Sequence, residues 1–104
     1  MQLVLQKLMP QNNIRNFYLS GLDSLQIINI TSSVNLQNLF INNCQKLNDI
    51  HLPIGAPSSD LSSFEITECN SLRTIYVERQ YIDEWTNLIQ EKLGPDFVAK
   101  IKGI

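Results

Sequence analysis

The side chains able to do chemistry in this 104-residue chain are few: Cys44, Cys69, a single histidine, His51, and a scatter of carboxylates. A thiolate nucleophile needs a histidine within hydrogen-bond reach, and a zinc site needs closely spaced Cys and His ligands. Cys44 and Cys69 have neither a Cys-x-x-Cys partner nor a histidine pattern beside them. His51 follows Asp49 by two residues, which places both on one side of an extended strand, whereas Cys44 belongs to the inward set of positions described below. A Cys–His couple is therefore not expected. Asp23, Asp49, Asp60, Glu65, Glu68 and Glu78 fall on outward positions or corners without a tight pair, as solvated carboxylates do. Gly21, Gly55, Gly94 and Gly103 are too dispersed for a phosphate-cradling loop. Asn29-Ile30-Thr31 is a glycosylation sequon, with meaning only in a chain secreted by a eukaryote. The expectation is a protein without catalysis, cofactor or metal.

Composition agrees with a single soluble domain. Hydrophobic residues make up 43% and charged residues 17%, with a net charge of −2 and a pI near 5.2. Nucleic-acid binding wants Lys and Arg gathered on one face, and the 8 basic residues here are spread along the chain. No apolar run approaches the roughly 20 residues of a membrane-spanning helix. The opening MQLVLQKLMPQNN lacks a secretory-signal pattern, so the expectation is a cytoplasmic chain or a portion of a longer one.

The elements that position these residues emerge from a repeat. IRNFYLSGLDSLQIINI from Ile14, LQNLFINNCQKLNDIHL from Leu36 and LSSFEITECNSLRTIYV from Leu61 share seven apolar slots, separated by 3, 2, 3, 3, 3 and 2 residues. In the second stretch these are Leu36, Leu39, Ile41, Cys44, Leu47, Ile50 and Leu52. A step of two keeps side chains on one side of a strand; a step of three carries the chain around a corner with an apolar group still inward. The pattern predicts strands at 17–19, 39–41 and 64–66, and at 28–30, 50–52 and 75–77, forming two narrow parallel sheets of a flattened coil whose turns share one core. The starts are 22 and 25 residues apart, and the extra length falls in PIGAPSSD, residues 53–60, where Pro, Gly and Ser predict a surface loop. Cys44 and Cys69 share a slot, and neighbouring strands about 4.8 Å apart suit two stacked buried thiols better than a disulfide.

Both ends of such a stack need cover. Tyr81, Ile82, Trp85, Leu88, Ile89 and Leu93 have amphipathic-helix spacing, with Gly94-Pro95 as a stop. Trp85 reads as a packing anchor. The tail DFVAKIKGI adds a last strand or a helical turn with Phe97, Val98 and Ile101 inward. Leu3, Leu5 and Leu8 match the offsets of Phe17, Leu19 and Leu22, so 1–13 reads as a partial repeat or cap. The organisation is one domain: 1–13, repeats at 14–35, 36–60 and 61–77, and a cap at 78–104.

LQNLFINNCQKLNDI and LSSFEITECNSLRTI resemble the leucine-rich repeat, and LRTIYVERQYIDEWTN together with Leu52-Pro53 resembles the C-terminal part of BspA-like bacterial surface repeat proteins. The Ala-Phe pair usual in that subfamily is missing from LFINNC and FEITEC. The resemblance implies a right-handed leucine-rich-repeat solenoid, β-rich, with parallel strands and a C-terminal capping helix. It implies adhesion or protein recognition at a bacterial cell surface, without chemistry of its own.

If the slots face inward, the residues between them line up outward in two stripes. One holds Tyr18, Phe40 and Glu65; the other holds Asn29, His51 and Tyr76, flanked by Ile27, Asp49 and Thr74. Exposed aromatic residues are the types that dominate interface energetics. The expectation is a protein partner at the Tyr18/Phe40 stripe, with no nucleic acid and no membrane insertion. The alternative is an intracellular scaffold, or a self-associating piece of a longer repeat protein joined through an uncapped N-terminal edge.

Overall fold

Corners set the architecture. The amides of Leu25, Leu47 and Leu72 donate to the carbonyls of Leu22, Cys44 and Cys69 at 3.2–3.3 Å, each a reverse turn at one of the steps of three. Immediately before each corner, Gly21, Asn43 and Glu68 take positive φ values of 70°, 55° and 54°. Glycine and asparagine enter that region at little cost; a glutamate does so at roughly 1 kcal/mol or more.

The computed structural model describes residues 7–10 and 13–104. Strand β1 (Lys7–Leu8) precedes three passes that each contain two strands: β2 (Asn16–Ser20) and β3 (Ile27–Asn29), β4 (Asn38–Asn42) and β5 (Asp49–His51), β6 (Ser63–Thr67) and β7 (Thr74–Val77). A 3-10 turn (Arg79–Tyr81) leads into α1 (Ile82–Lys92), followed by α2 (Pro95–Val98) and β8 (Ile101–Gly103). The chain alternates between two all-parallel sheets ordered β1-β3-β5-β7-β8 and β2-β4-β6. The result is an α/β fold with a C-terminal helix.

Register follows the slots. Phe17, Leu39 and Phe64 stand side by side across β2, β4 and β6, as do Ile28, Ile50 and Ile75 across β3, β5 and β7. All seven slots of the middle pass are buried, Leu36 and Leu52 at 1% and 2% exposure and the other five at 0%. Ile14, Leu19 and Leu22 in the first pass, and Leu61 and Cys69 in the third, are only half-buried. An outer pass has a neighbouring pass on one side only, so the slot pattern overstates burial at the ends. Cys69 thus departs from the expected pair of fully buried thiols, while Cys44 is enclosed.

At the C-terminal end α1 supplies cover. Trp85 and Ile89 are its buried residues, and the Trp85 indole lies 6.4 Å from the Phe64 ring. Asp83 and Glu84 in its first turn and Lys92 in its last complement the helix dipole. Leu93 and Gly94 both donate to the Ile89 carbonyl, and Gly94, at φ 97°, ends the helix. The tail is both expected alternatives at once: α2 is a single helical turn, and β8 then adds to the sheet beside β7, Ile101 opposite Ile75.

One further position differs from the sequence reading. Leu8 pairs with Ile28, so it belongs to the sheet of β3 rather than to the Leu22 corner; pairing of a free strand edge overrides an offset match. Leu3 and Leu5 lie outside the described residues. The 53–60 segment is the expected loop, without helix or strand and with Ile54, Ala56, Ser59 and Asp60 exposed, and it is tied down at its start: Pro53 is buried, the Gly55 amide donates to Glu78 Oε2 at 2.7 Å, and Trp85 Nε1 donates to the Gly55 carbonyl at 2.9 Å.

Candidate functional site

The outward face of β2-β4-β6 is built from alternate residues of three strands in exact register. Its centre is the row Tyr18, Phe40, Glu65. Tyr18 is 65% exposed, Phe40 is half-buried and Glu65 is exposed. The two aromatic rings are 6.5 Å apart and inclined by 36°. On one side of this row Asn38 Nδ2 donates to Asn16 Oδ1 at 2.7 Å. On the other, Asn42 Nδ2 donates to Ser20 Oγ at 3.3 Å and Asn42 Oδ1 accepts from Thr67 Oγ1 at 2.8 Å. The amide–hydroxyl ladders were not singled out in the sequence, although they occupy the outward positions that flank the aromatic row. At the Glu65 end, Lys92, Leu93 and Phe97 help to line a concavity of about 340 Å³.

The second stripe lies on the other sheet. His51 and Tyr76 stack with ring centroids 4.5 Å apart and planes 19° from parallel. Asn29 is in register beside His51, but its Oδ1 accepts from the Thr31 amide at 3.1 Å and the Thr31 hydroxyl at 2.8 Å, closing a local turn. The stripe therefore offers a ring pair rather than three presented side chains. Burial holds the His51 imidazole below its ordinary pKa of 6.5; Asp49 opposes this and Lys7 reinforces it. The neutral ring is favoured at neutral pH.

The ring pair borders a groove of about 260 Å³ completed by Ile54, Val77, Glu78 and Ile104. Ile54 and Ile104 are 57% and 60% exposed. Nothing local in the sequence points to this groove, because Ile54 is held by its amide donating to the Thr31 carbonyl at 3.2 Å, and its neighbour Gly55 by Glu78 and Trp85, all distant in the chain.

Burial raises the Cys69 thiol pKa, against a backbone hydrogen bond from Cys44 that lowers it, so thiolate is scarce at neutral pH. Among the described residues no three His, Cys, Asp or Glu side chains group as metal ligands, and no helix is long and apolar enough to cross a membrane. Compared with known proteins, the chain matches no family model, no curated protein and no solved structure.

Proposed function

We propose that the chain is a short leucine-rich-repeat solenoid that works as a non-catalytic module for protein–protein interaction or adhesion, using the outward face of β2-β4-β6. The observation that carries this reading is the row of Tyr18 and Phe40, presented side by side on a sheet face with Tyr18 at 65% exposure. A single exposed apolar side chain is ordinary; two large aromatic residues adjoining on a regular face form a contiguous patch of the kind that marks an interaction surface. The repeat reading draws on the common register of the slots, on turns recurring at equivalent positions, and on the right-handed preference of parallel crossovers. The non-catalytic reading draws on Cys44 being fully enclosed and on the raised pKa of Cys69.

The test is photocrosslinking in cells that express the chain, with a benzophenone amino acid in place of Tyr18 or, as control, of Glu91 on the exposed side of α1. A discrete adduct from position 18, missing from position 91 and weakened by Phe40→Ala, is the expected result. The same adducts from both positions, or none from position 18, defeat protein recognition by this face.

A further inference from the structure

The composition of the β2-β4-β6 face narrows what it recognises. Its central row is aromatic, and the residues on either side are amides and hydroxyls: Asn16, Asn38 and Ser63 along one border, Ser20, Asn42 and Thr67 along the other. Glu65 is the only charged group of these three rows. Protein-binding hot spots favour Trp, Tyr and Arg in desolvated pockets; the three rows of this face have no arginine, the concavity of about 280 Å³ that Tyr18 and Asn16 border opens beside β2 among Leu8, Pro10 and Ile14, and polar groups are spaced regularly along both borders.

We infer that this face binds an uncharged oligosaccharide, the contact being made by the sugar chain itself and not by any polypeptide that carries it. The inference rests on the recognition reading above and specifies its ligand. A pyranose ring has one face of C–H bonds, weakly positive, which packs against the negative face of an aromatic ring, and a rim of hydroxyls that both donate and accept. Tyr18 and Phe40, 6.5 Å apart, provide two adjacent platforms at a spacing comparable with one sugar unit. The flanking amides fit the rim. Each carries two N–H donors and a carbonyl with two lone pairs, more than the ladder bonds Asn38–Asn16, Asn42–Ser20 and Thr67–Asn42 consume. Those bonds also hold the side chains in fixed orientations, so less rotamer entropy is lost on binding. Glu65, continuing the aromatic row, accepts from a pair of adjacent hydroxyls and repels carboxylated or sulfated sugars; the net charge of −2 acts in the same direction.

The experiment uses free oligosaccharides of glucose, galactose, mannose and N-acetylglucosamine, with uronate- and sialate-containing counterparts, arrayed and then titrated into the ¹⁵N-labelled chain. Supporting results are binding of at least one neutral series with shifts centred on residues 18, 40 and 65, a loss of at least tenfold in Tyr18→Ala and Phe40→Ala, and no loss in Glu91→Ala. Glu65→Gln should keep neutral binding within about tenfold and relax the exclusion of acidic sugars. Thermal melts of each variant separate lost binding from lost folding, and Tyr18→Phe, which keeps the platform, should retain binding. Binding of no neutral series, binding only of acidic ones, or shifts centred on His51 and Tyr76 overturn the inference. If no sugar binds while the position-18 crosslink captures a protein that also binds when unglycosylated, the ligand class is wrong and the recognition reading stands. If both experiments are blank, both fail.

Discussion

Truncating Leu39 to alanine tests the division between inner and outer faces of β4. Leu39 is 0% exposed and lies between Phe17 and Phe64, themselves 6% and 1% exposed. The change removes about three methylene equivalents, worth ~0.8 kcal/mol each or about 2.4 kcal/mol of transfer free energy. The rings on either side are fixed by their own strands and collapse only partly into the space, so a cavity cost adds to this. The expected total is about 3–4 kcal/mol, within the range of about 2–5 for buried Leu→Ala changes and a large share of the roughly 5–15 kcal/mol of a whole domain. At ~4 °C per kcal/mol for a chain of this size, Tm should fall by about 12–16 °C, with a matching drop in the urea midpoint at unchanged slope. The comparison is Tyr18→Ala on the outward face, which should stay within about 0.5 kcal/mol of the parent. A fall of less than about 4 °C for Leu39→Ala, or equal falls for the two variants, would refute the shared core and the placing of Tyr18 outside it.

Other substitutions probe local features. Glu68→Gly relieves a glutamate at φ 54° in a position where the first pass already has Gly21, and should raise stability by about 0.5–1 kcal/mol, read from the urea midpoint. Trp85→Phe strips the Gly55 carbonyl of its indole donor and leaves part of a fully buried ring's space unfilled; a loss of about 2–4 kcal/mol and faster amide exchange at Gly55 are expected. His51 has a folded-state pKa below 6.5, so the unfolded chain takes up this proton first: its contribution is complete above pH 6.5 and declines as pH falls through the folded value. His51→Gln should therefore flatten the stability curve between about pH 7 and pH 5, as followed by urea midpoints. With iodoacetamide at pH 7, Cys69 should react more slowly than a free thiol, because burial raises its pKa, and Cys44 should react only on unfolding.

Much of the strand framework was legible because parallel passes impose a translation: a residue and its equivalent 22 or 25 positions on meet the same neighbours. The apolar slots, both outward rows and the buried face of α1 follow from that repetition and from helical spacing. The positive-φ position before each corner was not read from the sequence: Gly21 and Asn43 are residue types that favour it, and Glu68 conceals it in the third pass. Burial was less legible, because Ile14, Leu22 and Cys69 are half-buried in outer passes whose other slots, such as Leu25, Ile28, Phe64 and Ile75, are enclosed, a difference the slot pattern does not carry.

By itself, then, the sequence determined the period, the register and which side chains alternate inward and outward, since these depend on spacing along a repeated backbone path. Tertiary structure alone decided the features made by residues far apart in the chain. Leu8 joined the edge beside Ile28, Trp85 and Glu78 fixed the segment around Gly55, and β8 completed the sheet beside β7. The His51–Tyr76 groove belongs to this second class, because Ile54 and Ile104 are brought to it by backbone bonds to Thr31, Val77 and Arg79 and carry no local pattern that announces them.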